Sequence, residues 1–272
     1  MGGIISFNGQ NSDSFGIIIE RCPYPNKPVR RGTIFQIPGR NGNLVIEDGT
    51  YENVTRKFNV YFLTEPGGNG VYDRSSTIAQ WLLGSSGYCK LSTDYEPDVF
   101  YLARFAGPLD IEARLGHFGR ATLEFDCYPQ RFDALGHVYS DYGSLSSGSA
   151  AITNTGIMIA KPMIKVTGKG NVVLDFSSAA TGNTTEVDFA FSTSKTETII
   201  LDCDLHDAYY EDGSNANAAV SFSDAEASLP ESADYFYPTF PELTPGSNTV
   251  SLSALSTGTL SGLKIMPRWW SL

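Results

Sequence analysis

From Arg120 to Cys127 the chain alternates without a break, with Ala121, Leu123, Phe125 and Cys127 on one side and Arg120, Thr122, Glu124 and Asp126 on the other. A helix repeats every 3.6 residues, so this stretch is a strand with one buried and one wet face. Pro129 lacks a backbone donor and ends the pairing. Phe125–Phe132 and the closing Pro267–Leu272 read as the ends of two separately folded β domains. A chain of 272 residues is long for one core and comfortable for two. The 27 Gly, 14 Pro, 16 Phe and 14 Tyr suit a turn-rich β protein with aromatic faces.

The formal net charge of −11 limits the partners. A nucleic-acid binder needs a basic footprint, and the dense basic runs here are only Arg30-Arg31 and Arg56-Lys57, both inside apparent strands. Specific DNA or RNA binding is not expected, although an acidic surface suits a passage that DNA must not stick to. Cys22, Cys89, Cys127 and Cys203 are scattered without a CxxC pair, which predicts reduced core thiols made in a reducing cytoplasm. No apolar run is long enough for a membrane span, and no secretory signal is expected. Met1–Ser6 matches the loose myristoylation pattern, but Ile4–Phe7 also reads as a first strand, and lipidation is not expected.

Along the first half, strands are predicted at 15–20, 33–38, 43–47, 56–64, 88–91, 99–105, 109–115 and 119–128. Asn41-Gly42, between the second and third of these, is a strong hairpin signal. Val71, Ile78, Trp81 and Leu82 sit at helical spacing and Gly84 follows as a stop, giving one helix over 71–83 that packs across a sheet. The segments 109–115 and 119–128 flank Gly116-His117 and predict a long projecting hairpin. Residues 141–149 are rich in Gly and Ser without periodicity. The predicted organisation is therefore a domain at 1–140, a linker at 141–150 and a second domain at 151–272. Strands at 161–167, 171–176, 186–191, 196–203, 218–222, 247–252 and 258–266 give the second domain the pattern of a β-sandwich.

Four groups of residues carry a resemblance to the siphophage distal tail proteins, the hub proteins of the tail tip. The first is Ile37–Gly42 with Gly49-Thr50-Tyr51, the second Ile78–Leu82 with Leu91, and the third Phe125–Phe132. The fourth comprises Asn154-Thr155-Gly156, Pro162–Gly168, Leu243–Asn248 and Pro267–Trp270. Their order spans nearly the whole chain, while 65–70 and 225–235 read as insertions. The resemblance implies a mostly β protein, with an N-terminal β domain that carries one helix and a long hairpin and builds a homo-hexameric ring. A C-terminal galectin-like β-sandwich follows. It implies a hub that joins the tail tube protein to the tail-associated tip protein and to receptor-binding or baseplate proteins. DNA passes through such a ring without specific binding, and the protein resides in the virion after synthesis in the bacterial host cytoplasm. Gly39, Arg40, Asn41, Gly42, Gly116 and His117 are the candidate interface residues.

No HExxH, GxSxG, Walker A or GxGxxG motif occurs, so neither an enzyme nor a cofactor is expected. Asp202, Asp204 and His206 alternate, and on a strand they would share one face able to hold a divalent ion. Ordinary period-two polarity explains them as the wet face opposite Leu201, Cys203 and Leu205, so no metal is expected. Tyr237, Trp269 and Trp270 are the candidates for an alternative function, a carbohydrate-binding adhesion protein that grips cell-wall glycans. Neighbouring strand residues face opposite ways, which predicts one tryptophan in a core and the other at an inter-domain or inter-subunit contact.

Overall fold

The computed structural model describes residues 3–21, 26–64, 70–114, 118–146, 148–224 and 240–272. Cys22, the two insertions apart from Gly70, Gly116, His117 and Tyr237 lie outside the described residues. The chain divides into two compact units, residues 1–132 with Leu272 and residues 133–271.

The first unit contains Ile5–Phe7 (β1), Gln10–Asn11 (β2), Ile17–Ile19 (β3), Arg30–Phe35 (β4), Leu44–Tyr51 (β5) and Val54–Leu63 (β6). Gly70–Leu83 (α1), Cys89–Thr93 (β7), Glu96–Phe105 (β8), Glu112–Arg114 (β9), Phe118–Cys127 (β10) and Arg131–Asp133 (β11), whose last residue is counted with the second unit, follow. The main sheet runs β2-β1-β7-β8-β10-β6-β3. The alternating segment is β10, and it is an interior strand. It pairs with β6 along its whole length, so that Leu123 meets Phe58 and Ala121 meets Val60, and its end pairs with β8. All four of these inward side chains are buried.

The helix lies over this core as its spacing requires, with Val71, Ile78, Trp81 and Leu82 buried. Phe7, Phe58 and Phe105 each pack a ring against Phe125 at 5.1, 5.9 and 5.7 Å. Trp81 stacks on Phe15 at 4.7 Å and donates its Nε1–H to the Phe7 carbonyl at 3.1 Å. Arg56 is the polar exception on the buried face of β6. It is accommodated because its guanidinium lies 3.6 Å from the Tyr101 ring centre, donates to the Tyr101 hydroxyl and pairs with Glu96.

The second unit contains Ser140–Gly143 (β12), Ser149–Asn154 (β13), Met163–Lys169 (β14), Asn171–Ser178 (β15), Thr184–Ala190 (β16) and Glu197–Asp202 (β17). Asp207–Tyr210 (β18), Val220–Asp224 (β19), Gly246–Leu252 (β20) and Thr259–Met266 (β21) complete it. Two five-stranded antiparallel sheets form, β12-β21-β14-β17-β18 and β13-β20-β15-β16-β19. Register places Ile164 between Leu201 and Ile265 in one sheet, and Leu174 opposite Val187 in the other. All five belong to one sandwich core.

The stretch 141–150, expected as a linker, is not a free connection. Its ends are in β12 and β13, which pair with β21 and β20, and the division between units falls after Phe132. Small polar side chains suit edge strands with wet outer faces, which is why the segment lacks an apolar period. Two motif segments of the resemblance meet in this unit. Asn154 donates its Nδ2–H to the Leu243 carbonyl at 3.0 Å, and Asn248 accepts from the Thr244 amide at 3.0 Å and returns a bond to the Thr244 carbonyl at 2.8 Å. Both asparagines are buried and satisfied, so they fix Leu243 and Thr244, which lead into β20, to the sandwich.

Among the described cysteines, Cys127 and Cys203 are buried and Cys89 is half-buried, and none is in a disulfide. Burial pushes the Cys127 thiol up to about 12 and raises Cys203 as well, so both stay protonated and inert.

Candidate functional site

β4 and β5 form a two-stranded sheet of their own. The register sets Ile34 beside Val45 on one face of this ribbon, and Phe35 beside Leu44 and Thr33 beside Ile46 on the other. Both faces are therefore apolar, and every one of these residues is exposed. Ile34 is 63% exposed and Ile46 56%, where a core strand would show almost nothing. An isolated hairpin is marginal in water, and a contiguous apolar surface of this kind marks a contact.

Polar groups secure the base and leave the tip bare. Arg30 pairs with Glu47 at 2.8 Å across the ribbon, which raises its pKa, and Glu52 donates its amide to the Val29 carbonyl at 2.9 Å. The Thr50 hydroxyl and amide both bond Asp48 and hold its carboxyl below the usual range. Gly39, Arg40, Asn41 and Gly42 are exposed at the tip, where the Arg40 amide closes a turn on the Ile37 carbonyl at 3.1 Å. Gly42 sits at φ +81° with open space around it, so its demand is conformational and not steric. Gly42→Val is expected to cost the tip about 1–2 kcal/mol of local order. Amide exchange across 30–51 should quicken while both cores keep their protection, and unchanged exchange in the ribbon would refute the assignment.

The projecting hairpin is thus β4–β5 and not 109–128. Among the described residues β9 meets β10 from Phe118↔Arg114 to Arg120↔Glu112, while β10 is paired along its whole length with β6 and at its end with β8. The missed signal was the unbroken run Leu44-Val45-Ile46, which cannot alternate and so gives a ribbon two apolar faces.

Asp202, Asp204 and His206 do not share a strand face. β17 ends at Asp202, residues 203–206 turn, and His206 stands at φ +54° with its ring stacked on Phe240 at 4.7 Å. Asp202 is buried and gripped by Arg268 through two bonds of 2.6 and 2.7 Å, with further amide donors from Asp204 and Leu205. Leu205, expected inward, is 71% exposed because the turn carries it out. Among the described residues, no group of three or more His, Cys, Asp and Glu side chains is placed to hold a metal ion.

Both tryptophans pack on the core of the second unit. Arg268, at φ +58°, turns the chain after β21, so strand alternation does not apply to the residues that follow. Trp270 donates its Nε1–H to the Ile159 carbonyl at 2.9 Å. Trp269 lies so close over Gly136 that a Cβ there would come within 2.8 Å of its ring. Both rings are half-buried, so each keeps part of its surface open beyond its packing on the core.

Comparison with known proteins agrees with this architecture. Residues 12–127 match the family described as the phage tail protein RIFT-related domain. The SPP1 Dit (gp 19.1) protein, described as a paradigm of the hub adsorption apparatus in Gram-positive infecting phages, superposes with a TM-score of 0.68. That match is 14% identical and covers 97% of this chain and 98% of Dit. The fold is that of the SPP1 Dit protein. A second structure, of the phage p2 baseplate in its activated conformation with Sr, matches at a TM-score of 0.51 and 12% identity. It covers 97% of both chains. No curated protein matches in sequence. The match to Dit extends over both units, the C-terminal β-sandwich included.

Proposed function

We propose that this chain is a structural hub of a siphophage tail tip. Copies of it associate into a six-membered ring through the N-terminal unit, and the C-terminal sandwich offers a docking surface for baseplate or receptor-binding proteins. The ring joins the tail tube protein to the tail-associated tip protein, and its location is the virion tail tip. The observation that carries the reading is the β4–β5 ribbon, apolar on both faces and left uncovered by its own unit. It occurs in a fold shared end to end with a protein described as a hub. A function of this kind needs surfaces and no catalysis, and the net charge of −11 keeps a DNA passage from adhering to its cargo.

Native mass spectrometry over a range of concentrations tests the proposal. The wild-type chain should form hexamers, with rings visible in micrographs. Ile34→Lys/Val45→Lys replaces one face of the ribbon at exposed positions. It should give monomers with an unchanged melting temperature. A wild-type chain that remains monomeric at high concentration would sink the hub reading.

A further inference from the structure

The first unit exposes a second apolar surface, beside α1. A groove of about 550 Å³ runs between Val71, Tyr72, Ala79 and Leu83 of the helix and Leu109 and Ile111 of the segment before β9. None of its lining side chains is charged. The helix commits Val71, Ile78, Trp81 and Leu82 to the core, but Tyr72, Ser76, Ala79 and Leu83 recur at helical spacing on another stripe. Tyr72 is 70% exposed and Leu83 63%, so both ends of this stripe stand uncovered by the described residues.

We propose that this groove receives the ribbon tip of a second copy of the same chain. The inference rests on the ring reading above and names the receiving site. Three features select this occupant. The segment from Thr33 to Ile46 carries Ile34, Phe35, Ile37, Leu44, Val45 and Ile46, matching the groove in apolar character. Arg40 is its single charge, while the residues flanking the lining are Asp73, Arg74, Asp110 and Glu112, three acids against one base whose guanidinium is held by the Phe15 carbonyl. The small side chains Ser75, Ser76 and Ala79 let a strand come close to the helix. Ribbon and groove are different patches of one unit, so the contact is heterologous. Each copy gives a ribbon to one neighbour and a groove to the other, which is the arrangement that closes into a ring.

Complementation between two broken chains tests this. Ala79→Trp fills the groove and leaves the ribbon intact, whereas Ile34→Lys/Val45→Lys spoils the ribbon and leaves the groove intact. Each alone should be monomeric, with association shifted by at least about tenfold in concentration. Mixed in equal amounts they should form a heterodimer and nothing larger, because the one good ribbon fits the one good groove and both ends are then blocked. Leu83→Arg, at an exposed position in the last turn of the helix, serves as the groove variant if Ala79→Trp does not fold. Should a folded groove variant assemble like the wild type, or the mixture stay monomeric while the wild type forms rings, the docking site is wrong and the ring stands. A monomeric wild type removes both.

Discussion

Arg268→Met will destabilise the C-terminal unit by about 3–5 kcal/mol, the cost of breaking a buried ion pair by removing one partner. Asp202 is only 2% exposed at its side chain and depends on the two Arg268 bonds, with the Asp204 and Leu205 amides as its remaining donors. Methionine matches the length of the arginine stem and deletes the fork, leaving a carboxylate in a dry site. Asp202→Leu combined with Arg268→Met should recover most of the loss, since no charge then remains unpaired. Denaturant unfolding followed by tryptophan fluorescence reads this directly, because Trp269 and Trp270 report on this unit and the third tryptophan, Trp81, reports on the other. Loss of less than about 1 kcal/mol in the single variant would mean that water reaches Asp202.

The effect also carries a pH signature. Burial pushes the Asp202 carboxyl up, but the Arg268 hydrogen bonds and charge, with the Leu205 and Asp204 amides, overcome it and leave the group below its usual range. A depressed folded pKa means that the unfolded chain binds more protons. The contribution is therefore present above the unfolded value near ~3.9 and is lost as the pH falls through the folded one. Without Arg268, burial dominates and Asp202 accepts a proton readily. The deficit of the variant should be widest near neutral pH and should narrow in acid below about pH 4. A deficit independent of pH would show that Arg268 acts by packing alone.

The sandwich was legible because its strands announce themselves. Asn171–Ser178 and Thr259–Met266 each follow a turn glycine and carry enough inward Val, Leu and Ile to be read singly. The edge strands were not. β12 and β13 are built largely from Ser, Ala, Asp and Gly, and their pairing with β21 and β20 supplies what their side chains do not. Local composition cannot distinguish such a strand from a linker.

The candidate site was half legible for a related reason. Asn41-Gly42 marked the hairpin, but its length and two-sided exposure follow from the absence of any core near it, which no window of sequence contains. The period of β10 was read correctly as a strand and then assigned to a projection, because alternation tells which face is buried and not which strand lies alongside. At Asp202 the period failed outright, since β17 stops there and a residue expected to be wet became the buried half of an ion pair.

Trp81→Ala will cost the N-terminal unit about 3–5 kcal/mol, the range for removing a large buried aromatic. Three losses combine in this one change. The ring is 5% exposed in the core, it stacks on Phe15 and meets Phe7 edge-on, and its Nε1–H donates to the Phe7 carbonyl. Trp81→Phe keeps an aromatic ring and removes the donor, so it should cost about 1–3 kcal/mol for a hydrogen bond lost at a buried site. Because the same residue ties α1 to β1, the alanine variant should loosen the helix and with it the groove on the outer face. Assembly should weaken even though no interface side chain has changed. The order of events separates this from a direct contact role. Melting of the N-terminal unit by circular dichroism should fall in Trp81→Ala and stay level in Leu83→Arg, while both variants lose rings. Equal melting temperatures in the two would show that Trp81 does not anchor the helix.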